Sequence, residues 1–213
     1  MRDTGLFIDG VAIKLEGREI ISLTKRVAPG SVLTVMGPSG AGKSTLLAYI
    51  GGFLDPVFSA RGRVFVNENE VTALKPEDRH MGVLFQDPLL FPHMSVGGNL
   101  MFALPEGVRG REARAERVAH ALEGVGLAGL QNRDPATLSG GQKARVALAR
   151  VLVSSPRALL LDEPFSKLDA DLRAQTRELV FSKARDTGLP VLLVTHDEAD
   201  AEAAGGDIVR IAG

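Results

Sequence analysis

The chain contains no cysteine. That removes a disulfide framework, a thiolate metal site and a cysteine nucleophile, and it fits a reducing compartment. Nor does charge of one sign dominate: Lys plus Arg total 25 and Asp plus Glu 26, a net charge of −1. Phosphate-backbone binding rests on a basic surface, so nucleic acid is not expected as the main partner. No apolar run approaches the roughly 20 residues of a membrane-spanning helix. The opening Met1-Arg2-Asp3-Thr4-Gly5 leads into no secretory hydrophobic region. Fixed-period repeats, low-complexity tracts and Gly/Ser or Pro-rich linkers are also missing. These absences point to a cytoplasmic protein. The 213 residues, 45% of them apolar, suffice for one core with a subdomain inserted into it.

Short alternating runs broken by glycine fill the first sixty-odd residues, as in Leu6-Phe7-Ile8-Asp9-Gly10-Val11-Ala12-Ile13, and predict antiparallel strands with tight turns. Fully apolar runs follow at residues 32–36, 82–85, 158–161 and 191–194, each of the kind buried on both faces of a sheet. Between the second and third of these lies a stretch rich in Ala, Leu, Arg and Glu, with helical spacing at Val118, Ala121, Leu122 and Val125. Charges along 109–123 alternate in sign, which favours a solvated helix face over a membrane or nucleic-acid patch. The fold class predicted is α/β. A phosphate-loop NTPase core (about 1–90 and 156–213) with a mostly parallel sheet carries an N-terminal antiparallel β subdomain and an inserted helical subdomain (about 91–155), all as one domain.

Residues 37–44, Gly37-Pro38-Ser39-Gly40-Ala41-Gly42-Lys43-Ser44, match the Gly-x4-Gly-Lys-Ser/Thr pattern in full. A polyphosphate needs many N–H donors at close range, hence backbone without Cβ bulk at Gly37, Gly40 and Gly42. The helix beginning near Lys43 and running through Thr45 points its positive end at the anion. Lys43 then reaches the β- and γ-phosphates, and the Ser44 hydroxyl ligates Mg²⁺.

Ligands of open α/β sheets bind beyond the carboxyl ends of the strands. Here those ends deliver the phosphate loop, Gln86, Asp162-Glu163 and His196. Asp162 fits an acid that holds Mg²⁺ through water, or alternatively a helix cap. On a strand, Asp162 and Glu163 would point in opposite directions. That leaves Glu163 to orient and deprotonate an attacking water. His196 reads as a γ-phosphate contact or a structural histidine, and Gln86 by itself is weak, since exposed glutamine is common.

Leu138-Ser139-Gly140-Gly141-Gln142 is a good helix start, with Ser139 as N-cap and Gln142 completing a capping box. Two glycines in a first turn weaken a helix, and are explained by close approach of something to its N-terminus, such as another phosphate. With this segment the set resembles the ATP-binding subunits of ABC transporters. The phosphate loop, the glutamine loop at Gln86, the signature at residues 138–142, the acidic strand end at Asp162-Glu163, a D-loop at Ser166-Lys167-Leu168-Asp169 and the switch histidine His196 stand in that family's order, over essentially the whole chain.

The resemblance implies ATP and Mg²⁺ as ligands, with Gln86 serving both metal and catalysis. It implies a head-to-tail dimer in which Ser139, Gly140, Gly141 and Gln142 of one copy close over ATP held by Lys43 of the other. Transmembrane permease subunits are the implied partners, touched near Gln86 on the inner face of the cell membrane, with an external solute-binding protein reached through them. The stretch from Leu84 to Val96 is similar to importer subunits, including small importer ATPases of enteric bacteria. A soluble ABC-type ATPase acting on ribosomes or DNA is the alternative, disfavoured by the neutral charge and by the absence of a second nucleotide domain or a long coiled-coil insertion. Where relatives place an aromatic to stack on adenine, this sequence has Lys14 and Leu15, with Phe7 too early, so weak base discrimination is expected. The end at Gly213 predicts no C-terminal regulatory domain.

Overall fold

Two-residue turns shape the start of the chain. Glu16 and Gly17, both at positive φ (51° and 81°), close a hairpin whose twist matches that of its strands. A computed structural model describes residues 4–211. In order come β1 (Leu6–Leu15), β2 (Arg18–Val27), β3 (Val32–Met36), α1 (Lys43–Gly51), β4 (Phe58–Val66), β5 (Asn69–Glu70), β6 (Met81–Leu84), α2 (Val96–Ala103) and α3 (Arg111–Glu123). They are followed by α4 (Gly140–Val153), β7 (Ala158–Asp162), α5 (Ala170–Asp186), β8 (Val191–Thr195), α6 (Glu198–Ala204) and β9 (Asp207–Arg210).

The described residues divide into two units. One holds the chain up to Val83, Arg157–Glu163 and everything from Phe181; the other holds Leu84–Pro156 and Pro164–Val180. In the first unit an antiparallel sheet of order β2-β1-β4-β5 accompanies a five-stranded sheet of order β6-β7-β8-β3-β9. β3 pairs parallel with β8 and β9, and β7 parallel with β8. Every residue of β3 and β8 is buried, which is why these strands read as apolar runs in which Thr34 and Thr195 are the exceptions. Leu46, Leu47 and Ile50 of α1 share one core cluster with Ile8, Ile13 and Val64 of the antiparallel sheet and with Val35, Leu160 and Leu192 of the parallel one. Each such side chain contributes about 1.5–3 kcal/mol on burial, so α1 is fixed from both sides.

Arg79 also holds α1 in place. Its buried guanidinium donates to the carbonyls of Tyr49 (2.9 Å) and Ile50 (2.8 Å) at the helix C-terminus and to those of Leu74 (3.0 Å) and Thr72. A cation there complements the negative end of the helix dipole. Burial lowers the Arg79 pKa below the ordinary guanidinium value.

Strand ends differ slightly from the sequence pattern. β6 stops at Leu84, one residue early, and leaves Phe85 outside the sheet and exposed. β7 continues through Asp162, and β8 through Thr195. In the second unit, α2, α3 and α4 pack against one another. Val118, Leu122 and Val125 are buried at helical spacing as expected, and Ala121 is half-buried. Asn99, fully buried on α2, accepts from the N–H of Phe91 (2.8 Å) and donates to the carbonyls of Phe91 (3.1 Å) and Ser95 (3.0 Å), which fixes the loop entering the helix. Among the described residues no helix is long and apolar enough to cross a membrane.

Candidate active site

β3 delivers the chain to a loop that starts at Gly37. A Cβ there would lie 2.7 Å from Ile211 Cγ1 and 2.8 Å from the Ile211 carbonyl oxygen, so only glycine fits. Gly40 and Gly42 take positive φ (84° and 81°), a conformation open to glycine at little cost. Gly42 caps α1, whose first turn holds no acidic residue, leaving its positive end uncompensated. Lys43 is buried, and its Nζ donates to the carbonyls of Gly37 (2.7 Å) and Pro38 (2.8 Å), arching over the loop formed by Pro38, Ser39, Gly40 and Ala41.

Ser44, one residue along α1 and followed by Thr45, donates its hydroxyl to Asp162 Oδ1 at 2.9 Å. Burial pushes the Asp162 carboxyl above the usual carboxylate range. The Ser44 hydrogen bond pulls it back, the Glu163 charge pushes it up and the Lys43 charge pulls it down. A hydroxyl beside a partly desolvated carboxylate suits Mg²⁺, which keeps several of its waters and needs few protein ligands.

The strand-alternation argument for Asp162 and Glu163 needs correction. β7 ends at Asp162, and Glu163 has turned into the left-handed region at φ 46°, which is strained for a side chain of this size. It remains tied to the sheet, since its N–H donates to the Val194 carbonyl at 3.0 Å. The two carboxylates therefore diverge because the backbone turns, not because a strand alternates. Glu163 Oε1 lies 3.0 Å from His196 Nδ1, at the end of β8. A carboxylate can only accept, so Nδ1–H donates and Nε2 is left for another partner.

The second unit carries the predicted signature residues and Gln86. Ser139 caps α4 with the full capping box: its Oγ accepts from the Gln142 N–H (3.2 Å), and Gln142 Oε1 accepts from the Ser139 N–H (3.0 Å). The two glycines differ. A Cβ on Gly140 would make ordinary contact, whereas one on Gly141 would lie 2.9 Å from Leu172 Cδ2. The nearest neighbour at Gly141 is thus a side-chain end of this chain's own α5, which can shift to admit a methyl group. Gln86 is exposed just beyond β6. Its downstream flank is anchored within the unit, where Lys167 pairs with Asp87 and Arg150 donates to the carbonyls of Pro88 (3.1 Å) and Leu89 (2.8 Å).

Leu15 is half-buried at the end of the β1–β2 hairpin, paired with Arg18 and Phe58. The hairpin residues lying against the phosphate loop are Ile21 and Ile20, whose side chains stand 3.3 and 3.5 Å from where a Gly42 Cβ would be. Four structural supports escaped the sequence pattern: Arg79, Asn99, Arg150 and Leu172. Only Leu172 carries a usable signal, because Leu172, Thr176, Val180 and Ala184 are spaced as one face of a helix.

Comparison with known proteins agrees with this architecture. The family model described as ABC transporter matches residues 21–166. An uncharacterised ABC transporter ATP-binding protein of Escherichia coli, YnjD, is 48% identical over 93% of this chain and 91% of its own length. The thiamine import ATP-binding protein ThiQ of Cereibacter sphaeroides is 43% identical over 92% of this chain and 83% of its own. The Fe(3+) ions import ATP-binding protein FbpC 1 of Haemophilus influenzae is 40% identical over 92% of this chain, which spans 60% of that longer protein. Among solved structures, the ATP-binding cassette MJ0796, a dimer in a post-hydrolysis state bound to ADP and Pi, superposes with a TM-score of 0.79 at 28% identity, covering 97% of this chain and 94% of that one. The chain belongs to the ABC transporter family, as one of its ATP-binding, ATP-hydrolysing subunits.

Proposed function

We propose that this subunit drives an importer, with two copies closing head to tail on two ATP molecules and passing the motion to a membrane permease. The observation that carries the hydrolytic part is the pairing, within one unit, of Ser44 with Asp162 (2.9 Å) and of Glu163 with His196 (3.0 Å). In this reading Lys43 leaves the carbonyls of Gly37 and Pro38 for the β- and γ-phosphates, and the N–H groups of residues 39–45 receive the remaining phosphate oxygens. Ser44 and Asp162 would hold Mg²⁺, which when bound would neutralise charge developing on the phosphates. Glu163 takes a proton from the water attacking the γ-phosphorus, the bond to the ADP oxygen breaks with its electron pair, and ADP and phosphate result. His196, as an imidazolium whose Nδ1–H Glu163 accepts, donates Nε2–H to a γ-phosphate oxygen.

The signature turn, Ser139 with Gly140, Gly141 and Gln142, opens a helix with no acidic residue in its first turn, a suitable end to meet the ATP of the second copy. Import is supported by the relatives named for thiamine and iron(III) uptake. Permease contact is supported by the apolar side chains of Leu89 and Phe102, 58% and 68% exposed in the unit that carries Gln86. The proposed setting is the inner face of the membrane, with any solute-binding protein reached through the permease. Leu15 offers the base no aromatic face, so GTP should be hydrolysed comparably to ATP.

Glu163→Gln with ATP and Mg²⁺ should run as a dimer on size exclusion and hydrolyse ATP very slowly; a strictly monomeric variant overturns the sandwich. A tagged copy captured from detergent-solubilised native membranes should bring down a multi-span permease. Recovery of ribosomal or DNA-repair proteins alone overturns the transporter reading.

A further inference from the structure

Beneath the turn that carries His196 lies a buried carboxylate that the mechanism above does not use. Asp200, in the first turn of α6, is 1% exposed, and so is Thr195, the last residue of β8. Thr195 Oγ1 donates to Asp200 Oδ2 at 3.3 Å and accepts from the Asp197 N–H at 3.1 Å. Asp197 Oδ1 in turn accepts from the Asp200 N–H at 3.2 Å, capping the helix. Three side chains thus tie residues 195, 197 and 200 into one ring, and His196 is the residue it encloses.

Neither buried polar group is needed by its own element. β8 is otherwise Val191-Leu192-Leu193-Val194, so valine would serve the strand at 195, and a buried hydroxyl there is unfavourable unless it is bonded. α6 already has its cap in Asp197 and an exposed acid in its first turn in Glu198, which Arg210 of β9 grips through both carboxylate oxygens at 3.0 Å. What Thr195 and Asp200 add is an inner tie between strand end and helix start. Only residues 196 and 197 lie between those elements, and they carry the ring that must stand 3.0 Å from Glu163.

We infer that Thr195 and Asp200 are positioning residues for His196, holding the link so that its imidazole keeps one geometry between Glu163 and the γ-phosphate. The inference rests on the reading of His196 given above. It deepens that reading, because neither residue touches the reacting atoms. An error of about an ångström in placing a catalytic group can cost as much as about 10²-fold in rate, so the tie should be visible in turnover.

The test compares Thr195→Val, which keeps shape but loses both hydrogen bonds, with Thr195→Ser, which keeps the hydroxyl, with Asp200→Ala, and with His196→Ala as reference. Steady-state ATP hydrolysis with Mg²⁺ gives kcat and KM. Thr195→Val and Asp200→Ala should each lower kcat by about tenfold with KM little changed. Thr195→Ser should restore most of kcat, and the double variant Thr195→Val/Asp200→Ala should be no slower than the slower single one, because the pair acts as a unit. Wild-type kcat in Thr195→Val and Asp200→Ala beside a slow His196→Ala overturns the inference and leaves the reading of His196 intact. Wild-type turnover in His196→Ala overturns both. A parallel fall in kcat, ATP affinity and melting temperature in both variants, unrepaired by serine, overturns the inference in favour of a purely structural role.

Discussion

The Ser44 hydroxyl and the Asp162 carboxylate, 118 residues apart in sequence, meet at 2.9 Å where the phosphate-loop helix begins beside the end of β7. A half-buried carboxylate at this point is a liability until a cation arrives. Its pKa is raised, chiefly by burial, so the nucleotide-free fold holds the protonated form more readily than the unfolded chain does. The favourable contribution is therefore present below the ordinary carboxylate range and is lost as the pH rises through the raised value.

Asp162→Asn removes that charge without changing the shape. Without nucleotide, the variant should melt higher than the wild type at pH 7.5, and the difference should shrink towards pH 4. With ATP and Mg²⁺ the order should reverse, since only the wild type gains the metal. Thermal melts with and without ligand at the two pH values measure both halves. An unchanged nucleotide-free melting temperature at pH 7.5 would show that the desolvation of Asp162 is already relieved.

Gly141 separates packing from chemistry. An alanine methyl there must push Leu172 Cδ2 back from 2.9 Å, and it meets the flexible end of that side chain. Overpacking of this kind costs about 1 kcal/mol, and replacing a helical glycine by alanine returns up to about 1 kcal/mol. Gly141→Ala should therefore change the unfolding free energy by less than about 1 kcal/mol, as denaturant titration would show. If the turn meets a second copy's ATP, hydrolysis should nonetheless fall by about 10²-fold. Loss of stability and activity together, both regained on adding Leu172→Ala, would assign the glycine to packing alone.

What could be read in the sequence follows from how the physics is encoded. β3, β7 and β8 were legible because strands covered on both faces are largely apolar, and the phosphate loop because backbone approach demands glycine at fixed spacing. The capping box at Ser139 and Gln142 was legible because both partners lie within one turn. Arg79, Asn99 and Arg150 were not, because they bond to main-chain carbonyls and any residue type can supply those. The left-handed turn at Glu163 was hidden for a related reason, since its tie is a main-chain bond to Val194, 31 positions later in the chain. Ser44 and Asp162 were each identified, but that they touch required the fold.

Thr34 tests the parallel sheet away from the chemistry. It is fully buried in the middle of β3, and its hydroxyl has no hydrogen-bond partner among the described residues. An unsatisfied buried hydroxyl costs about 1–3 kcal/mol, and valine has nearly the same shape and a better strand propensity. Thr34→Val should raise stability by about 1–2 kcal/mol, measured as a shift of the denaturant midpoint at constant slope, with ATP hydrolysis unchanged. A destabilised variant would mean that the hydroxyl has a partner after all.

Arg79 tests how far the phosphate-loop helix depends on its far end. The guanidinium reaches the carbonyls of Tyr49 and Ile50 at the C-terminus of α1 and those of Thr72 and Leu74. Burial lowers its pKa, and the four carbonyls offset part of that desolvation. Arg79→Leu fills much of the volume but leaves the helix end and the neighbouring turn without donors. The loss should be about 2–4 kcal/mol, larger than for a surface charge. Lysine carries three donors on one point, where arginine spreads its donors over a planar fork, so Arg79→Lys should recover only part of the loss. Denaturant unfolding of both variants decides it. Equal stability of the lysine variant and the wild type would show that charge near the end of α1, and not the geometry of the fork, is what the helix requires.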